Sequence, residues 1–147
     1  MDDPTDQLNL GLLLFIPYRA LEDRVFAALV AAGFDDITAA QARVFQRIGP
    51  HGTRLTDLAQ AAQATKQAAG FIVDQLERAG YVERVADPLD GRARLIRITA
   101  RGTQTIPIST AVIADIEAEW KEHVGEENLD HLRRTLSALR EITDPYR

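Results

Sequence analysis

The feature that most restricts the fold is a change of hydrophobic period at Gly80. Before it, TKQAAGFIVDQLERAG (65–80) sets Ala69, Ile72, Val73 and Leu76 at three- and four-residue spacing, one apolar face of a helix, with Thr65 placed as N-cap and Gly80 as C-cap. After it, YVERVA and ARLIRIT are rich in Val, Ile, Tyr and Thr and are separated by DPLDGR, a Pro- and Gly-containing turn. This texture predicts a β-hairpin with a long tip. The helix itself holds an anomaly. At 100° per residue, Phe71 lies almost opposite the apolar face, beside Gln67, Asp74 and Arg78, and Gly70 on the flank costs a mid-helix position about 1 kcal/mol relative to Ala. Pattern alone leaves two placements for Phe71: covered by another helix, or facing outward toward a partner.

Upstream punctuation is equally clear. A strongly apolar stretch from about Leu8 to Ala32 has helical length, with Gly33 as C-cap and Pro17 expected to kink it or delay its regular part. Residues Ile37–Ile48 open with Thr38 and Gln41 in capping-box spacing and stop at Gly49 and Pro50. A short helix at about Arg54–Gln60 carries Leu55, Leu58 and Ala59 on one side. Downstream, Thr99 caps a long helix to Val124, broken or bent near Pro107 and ended by Gly125. A last amphipathic helix, about Glu126–Ile142, spaces Leu129, Leu132, Leu136 and Leu139 like a heptad. Three short helices followed by a hairpin is the order of a winged helix-turn-helix, in which the helix before the hairpin enters the major groove of DNA. The terminal helices are too apolar to stand alone and are expected to form a dimerisation lobe. The expected fold is therefore mainly α with a small β-wing. It divides into an N-terminal dimerisation helix (1–36), a DNA-binding unit (37–101) and C-terminal dimerisation helices (102–147).

Charge distribution supports a nucleic-acid partner although the formal net charge is −5. Lys and Arg number 4 against 7 Asp and Glu before residue 54, 8 against 6 from 54 to 101, and 5 against 9 beyond. The densest basic excess is Arg84, Arg92, Arg94, Arg97 and Arg101 against Asp87 and Asp90, and a local patch binds phosphates while the rest of the chain stays acidic. The absence of Cys excludes disulfides, thiol redox sensing and Cys nucleophiles. His51, His123 and His131 lack paired spacing, so neither a metal nor any other cofactor is expected. No window approaches the roughly 18 apolar residues of a membrane span, and the acidic start MDDPTDQ is unlike a signal peptide; a cytoplasmic protein is expected.

The segment RLTDLAQAAQATKQAAGFIVDQLERAGYVERVADPLDGRARLIRITARG resembles the DNA-binding core of the MarR family of bacterial winged-helix transcription regulators, most closely in DQLERAGYVERV, the DPLDGRAR wing and LIRITARG. The resemblance implies a homodimer on a pseudo-palindromic operator of double-stranded DNA. It further implies a repressor released when a small, commonly aromatic or phenolic, ligand enters a cleft between the dimer helices and the DNA-binding lobe. Under it, Thr65, Lys66 and Gln67 at the positive end of the recognition helix contact phosphate and the first base edges, with Gln67 the candidate for a hydrogen bond to adenine. Gly70 lets the helix approach the groove wall, and Phe71 lies against a thymine methyl or sugar, pointing to a readout weighted toward shape and apolar contact. Arg92, after the Asp-Gly corner, is the residue expected in the minor groove. Arg94 reaches phosphate or pairs with Asp90 or Asp87.

Phe15, Tyr18 and Arg19 are the candidate ligand contacts. Aromatics on long apolar helices are more often core, however, and Arg19 has Glu22 one turn on as an alternative partner. Asp87 and Asp90 read as turn formers rather than catalytic carboxylates. No nucleophile elbow or glycine-rich phosphate loop supports an enzyme. The rival from another class is a winged-helix protein-interaction module without DNA, in which Phe71 anchors a partner surface.

Overall fold

The structure, a computed structural model, describes residues 7–144; most of the acidic start (1–6) and residues 145–147 lie outside the described residues. Helix α1 (Leu10–Ala31) is followed by α2 (Ala39–Phe45), strand β1 (Thr53–Arg54), α3 (Leu55–Ala61), α4 (Lys66–Arg78), β2 (Val82–Asp87), β3 (Asp90–Ile98), α5 (Ala100–Val124) and α6 (Glu126–Thr143). The fold is mainly helical, with a three-stranded antiparallel sheet ordered β1-β3-β2. Local chemistry sets the boundaries. Thr38 and Gln41 complete both arms of a capping box on α2, and the Thr65 and Thr99 hydroxyls accept from the Ala68 and Gly102 amides to start α4 and α5. Gly80, at φ +87°, takes the left-handed conformation that lets the chain leave α4 and enter β2 directly.

Three expectations change. Pro17 and Pro107 both sit inside continuous helices, each at the eighth helical residue, so Pro17 does not delay the start of α1 and Pro107 does not break α5. The hairpin tip is short, because β3 begins at Asp90 and Asp87 pairs with it across a register shift at Ala86/Asp87. Pro88 and Leu89 make the turn, and the Asp-Gly corner expected at the tip belongs to the strand. The stretch Ile37–Ile48 is helical only over Ala39–Phe45.

The core gathers Ile37, Val44 and Ile48 around α2 with Leu58 of α3, Val73 and Leu76 of α4, and Tyr81, Val82 and Ile96 of the sheet. It therefore clamps α4 from behind and leaves the opposite face free. Helix α1 packs on α5, and α5 on α6. The approach of α5 to the sheet is close at Gly102, where an added Cβ would collide with the Tyr81 carbonyl oxygen and stand 2.7 Å from Ile98 Cγ2. A large apolar surface stays uncovered: Leu10, Leu13, Phe15 and Ile16 of α1 and Leu132, Leu136 and Leu139 of α6 are exposed.

Candidate nucleic-acid interface and effector cavity

Burial on α4 divides its residues. Ala69, Val73 and Leu76 are wholly buried, whereas Thr65, Lys66, Gln67 and Phe71 are exposed, Phe71 by 60%. Phe71 thus takes the outward of its two placements. Gly70 is half-buried, and a Cβ there would only touch Leu55 Cδ2 at 3.6 Å.

The wing sorts its arginines by their partners. Arg84 is spent on α4, donating to Glu77 at 2.8 Å and Asp74 at 2.7 Å, and Arg97 donates across the hairpin to Glu83, its register partner, at 2.7 Å. Arg101 holds Asp36 at 2.9 Å. That leaves Arg92 and Arg94 exposed and, among the described residues, without an ion pair. Lys66 and Arg94 meet around a cleft of about 390 Å³ that Arg54 and Arg84 also line, so the recognition helix and the wing share one basic rim. Arg92 and Phe71 lie outside that cleft.

Arg54 is a site residue the sequence reading missed. Its guanidinium donates to Asp87 at 2.6 and 2.9 Å, and Asp87 in turn accepts the Leu89 amide at 2.9 Å. That amide, followed by the guanidinium, holds the Asp87 carboxyl below the usual carboxylate range. The wing is thereby tied to the start of α3, and Asp87 takes Arg54 rather than Arg94 as its partner. The available signal was an arginine directly before a helix, and with Asp57 one turn on as a local alternative that signal is weak. Leu89, 94% exposed, is the outermost side chain of the tip.

A second feature is a cavity of about 340 Å³ enclosed by α1, α2 and α5, with Val25, Phe26 and Leu29 from α1, Phe45 from α2, and Ile106 and Ile113 from α5 on its wall. Tyr18 lines it, whereas Phe15 and Arg19 do not. At its polar end Glu22, only 8% exposed, accepts from Tyr18 Oη at 2.8 Å, from Arg19, and from Arg43 Nε and Nη2 at 2.9 Å each. Arg43 is the main reason the Glu22 carboxyl titrates below its ordinary value, while burial and then the Glu22 contact push the Tyr18 hydroxyl up.

With this geometry in hand, likeness to known proteins is informative. The MarR family model matches residues 35–93, which run from the entry to α2 through the wing. The HTH-type transcriptional regulator BilQ of Clostridioides difficile is 28% identical over 76 residues, 52% of this chain and 49% of its own length, so the match spans about half of that relative. The crystal structure of MarR superposes with a TM-score of 0.74 at 25% identity, covering 92% of this chain and 98% of MarR. CouR from Rhodococcus jostii RHA1 bound to p-coumaroyl-CoA (TM-score 0.72, 23% identity, 100% and 99% covered) and the S. aureus MepR-DNA complex (0.68, 18%, 92% and 98%) share the fold. No helix of the described residues is long and apolar enough to cross a membrane. The family-model match over the helix-turn-helix and wing, joined to the likeness of the whole chain to MarR, shows that this protein has the fold, and over residues 35–93 the sequence pattern, of the MarR family of transcriptional regulators.

Proposed function

We propose that the protein is a homodimeric repressor that reads a pseudo-palindromic operator through Thr65, Lys66, Gln67, Gly70 and Phe71 in the major groove and Arg92 and Arg94 of the wing, and that a small aromatic ligand releases it. The observation that carries this reading is the separation of the arginines. Of the five between residues 84 and 101, three are paired within the fold, and the two on the outer wing are exposed beside an outward-facing α4. Unpaired exposed arginines next to a helix N-terminus make a phosphate-binding surface. The dimer rests on the uncovered apolar surface of α1 and α6, since contiguous exposed patches of this kind mark association sites. Residues 1–36 and 102–147 then form the dimerisation lobe around the DNA-binding unit 37–101, and the protein works by binding rather than catalysis.

Release follows from geometry. Two recognition helices must sit about 34 Å apart, one turn of DNA, so a ligand between the lobes need only alter that spacing. MepR bound to DNA and CouR bound to p-coumaroyl-CoA are examples on the same fold of the two ligand classes invoked. The test is selection of the purified protein on random duplex DNA, followed by titration over several salt concentrations. Enrichment of an inverted repeat with steep salt dependence is expected. Weak, unselective binding at low salt alone would turn the reading toward a protein partner anchored by Phe71.

A further inference from the structure

Ligand chemistry is constrained by the polar end of the cavity among α1, α2 and α5. We propose that this cavity takes an uncharged aromatic molecule bearing a hydrogen-bond donor and rejects a carboxylate of the same shape, an inference that rests on the reading of the cavity as the effector site. At about 340 Å³ it lies within the roughly 300–1,000 Å³ range of small-molecule sites. Its wall is mostly aliphatic and aromatic, which sets the apolar body of the ligand. Among the described residues the only Lys or Arg on that wall is Arg43, whose Nε and Nη2 donate at 2.9 Å to Glu22 Oε2 and Oε1; Glu22 also accepts from Arg19, which pairs in turn with Asp23 at 3.5 Å, so two carboxylates match the two guanidiniums.

A ligand carboxylate therefore has two options, both unfavourable. It sits beside Glu22 with no uncompensated cation, which is like-charge repulsion in a desolvated place. Otherwise it displaces Glu22 from Arg43 and leaves a nearly buried carboxylate with Arg19 and the Tyr18 hydroxyl alone, which gives up the two-bond half of a buried ion-pair cluster. An uncharged donor meets no such obstacle. Thr105 and Ser109 on the wall have committed their hydroxyl protons to the Gly102 and Thr105 carbonyls at 2.7 and 3.1 Å, so their oxygens remain as acceptors. The Tyr18 proton is likewise committed, to Glu22. Beside Gln46 and Thr110, which can donate or accept, these three hydroxyls can only accept from a ligand, and the group that complements them is an amide, hydroxyl or ring N–H.

The experiment is calorimetric titration of the full chain near neutral pH with 2-naphthamide and 2-naphthoate, which differ little in shape. The amide is expected to bind and the naphthoate to bind at least tenfold more weakly. In Glu22→Gln the freed Arg43 moves the ratio at least tenfold toward naphthoate. Equal or tighter naphthoate binding to the wild type overturns the proposal. So does an unchanged ratio in a folded Glu22→Gln variant. The wild-type comparison decides by itself should that variant fail to fold. Heat from neither compound at millimolar concentration removes the cavity as an effector site, and the proposal with it, while leaving DNA binding untouched.

Discussion

Gly102→Ala tests the junction between the sheet and α5. In the native packing an Ala Cβ at 102 would collide with the Tyr81 carbonyl oxygen and stand 2.7 Å from Ile98 Cγ2 and 3.1 Å from Phe45 Cε2. Ordinary contact begins near 3.4 Å, so α5 must retreat by about 0.7 Å from Ile98 alone, and the carbonyl cannot rotate away because it accepts the Thr99 amide at 3.1 Å. Overpacking of this kind costs about 1–3 kcal/mol, and the obstacle here is backbone, which favours the upper half. Against that stands the helix propensity gained on replacing Gly with Ala, at most about 1 kcal/mol. The net is a loss of about 1–2 kcal/mol, or roughly 2–8 °C in melting temperature for a chain of this size. Gly70→Ala is the internal control: its Cβ meets only Leu55 Cδ2 at 3.6 Å, so the propensity gain survives and stability rises by about 0.5–1 kcal/mol. The assay is thermal unfolding at one fixed chain concentration, since a dimer's midpoint depends on concentration. Melting of Gly102→Ala at or above the wild-type temperature would refute the close approach of α5.

Three further outcomes are expected. Arg94→Ala lowers operator affinity and reduces the salt slope by about 1 per subunit, while Arg97→Ala, already paired with Glu83, changes neither by more than a fraction of that; equal effects in DNA titrations would remove the distinction between the two arginines. Leu136→Glu, on the uncovered stripe of α6, shifts the sedimenting species from dimer to monomer without unfolding the DNA-binding unit, and an unaltered dimer would place the interface elsewhere. Tyr81→Phe flattens the alkaline limb of the stability curve. Burial first, then the bond to Asp36, pushes the Tyr81 hydroxyl up to about 12 from 10.0. The unfolded chain therefore ionises first, and stability complete below pH 10 falls by about 1–3 kcal/mol as pH rises to about 12. Denaturant midpoints of the two proteins across that window decide it, and parallel curves would exclude Tyr81 as the cause.

The elements visible in the sequence are those whose signals are local. The capping box of α2, the threonine N-caps, the apolar face of α4 and the glycine stops require only neighbouring residues, and Thr38, Thr65, Thr99 and Gly80 act where their spacing places them. What stayed hidden depends on partners distant in the chain. Strand β1 is two residues long and exists because Thr53 and Arg54 pair with Ile96 and Leu95, more than forty positions away. The turn between α3 and α4 places Gln63 at φ 55°, a conformation for which Gly or Asn is the usual marker. In the candidate interface, the run of five arginines was visible, but their division into paired and unpaired was not. It depends on Glu77, Asp74, Glu83 and Asp36, which the sequence distributes over helix, strand and loop. The helical period put Phe71 opposite the apolar face of α4 but left open whether another helix covers it, because a cover comes from residues distant in the chain; the structure leaves it exposed.

Under the proposed mechanism, the lobes are joined by ties that converge on α2 and the turn that follows it. Glu22 of α1 holds Arg43, Asp144 beyond α6 holds Arg47 at 2.7 Å, and from α2 itself Gln41 donates to Gln75 of α4 at 3.1 Å. A displacement of α2 therefore cannot leave the recognition helix in place. An uncharged ligand that spares the Glu22–Arg43 pair drives that displacement chiefly by the burial of its apolar surface, since a neutral hydrogen bond adds only about 1 kcal/mol net. A two-ring aromatic burying about 200 Å² supplies about 5 kcal/mol gross at 25 cal/mol per Å², less the cost of immobilising the ligand. Inverting a 99:1 preference for the DNA-bound form takes about 5.5 kcal/mol of differential affinity. The apolar burial of one ligand falls short of that figure even before the cost is subtracted, whereas that of two brings about 10 kcal/mol gross. Release on this mechanism thus requires both cavities of the dimer to fill, and the DNA-release curve rises with a Hill slope above 1.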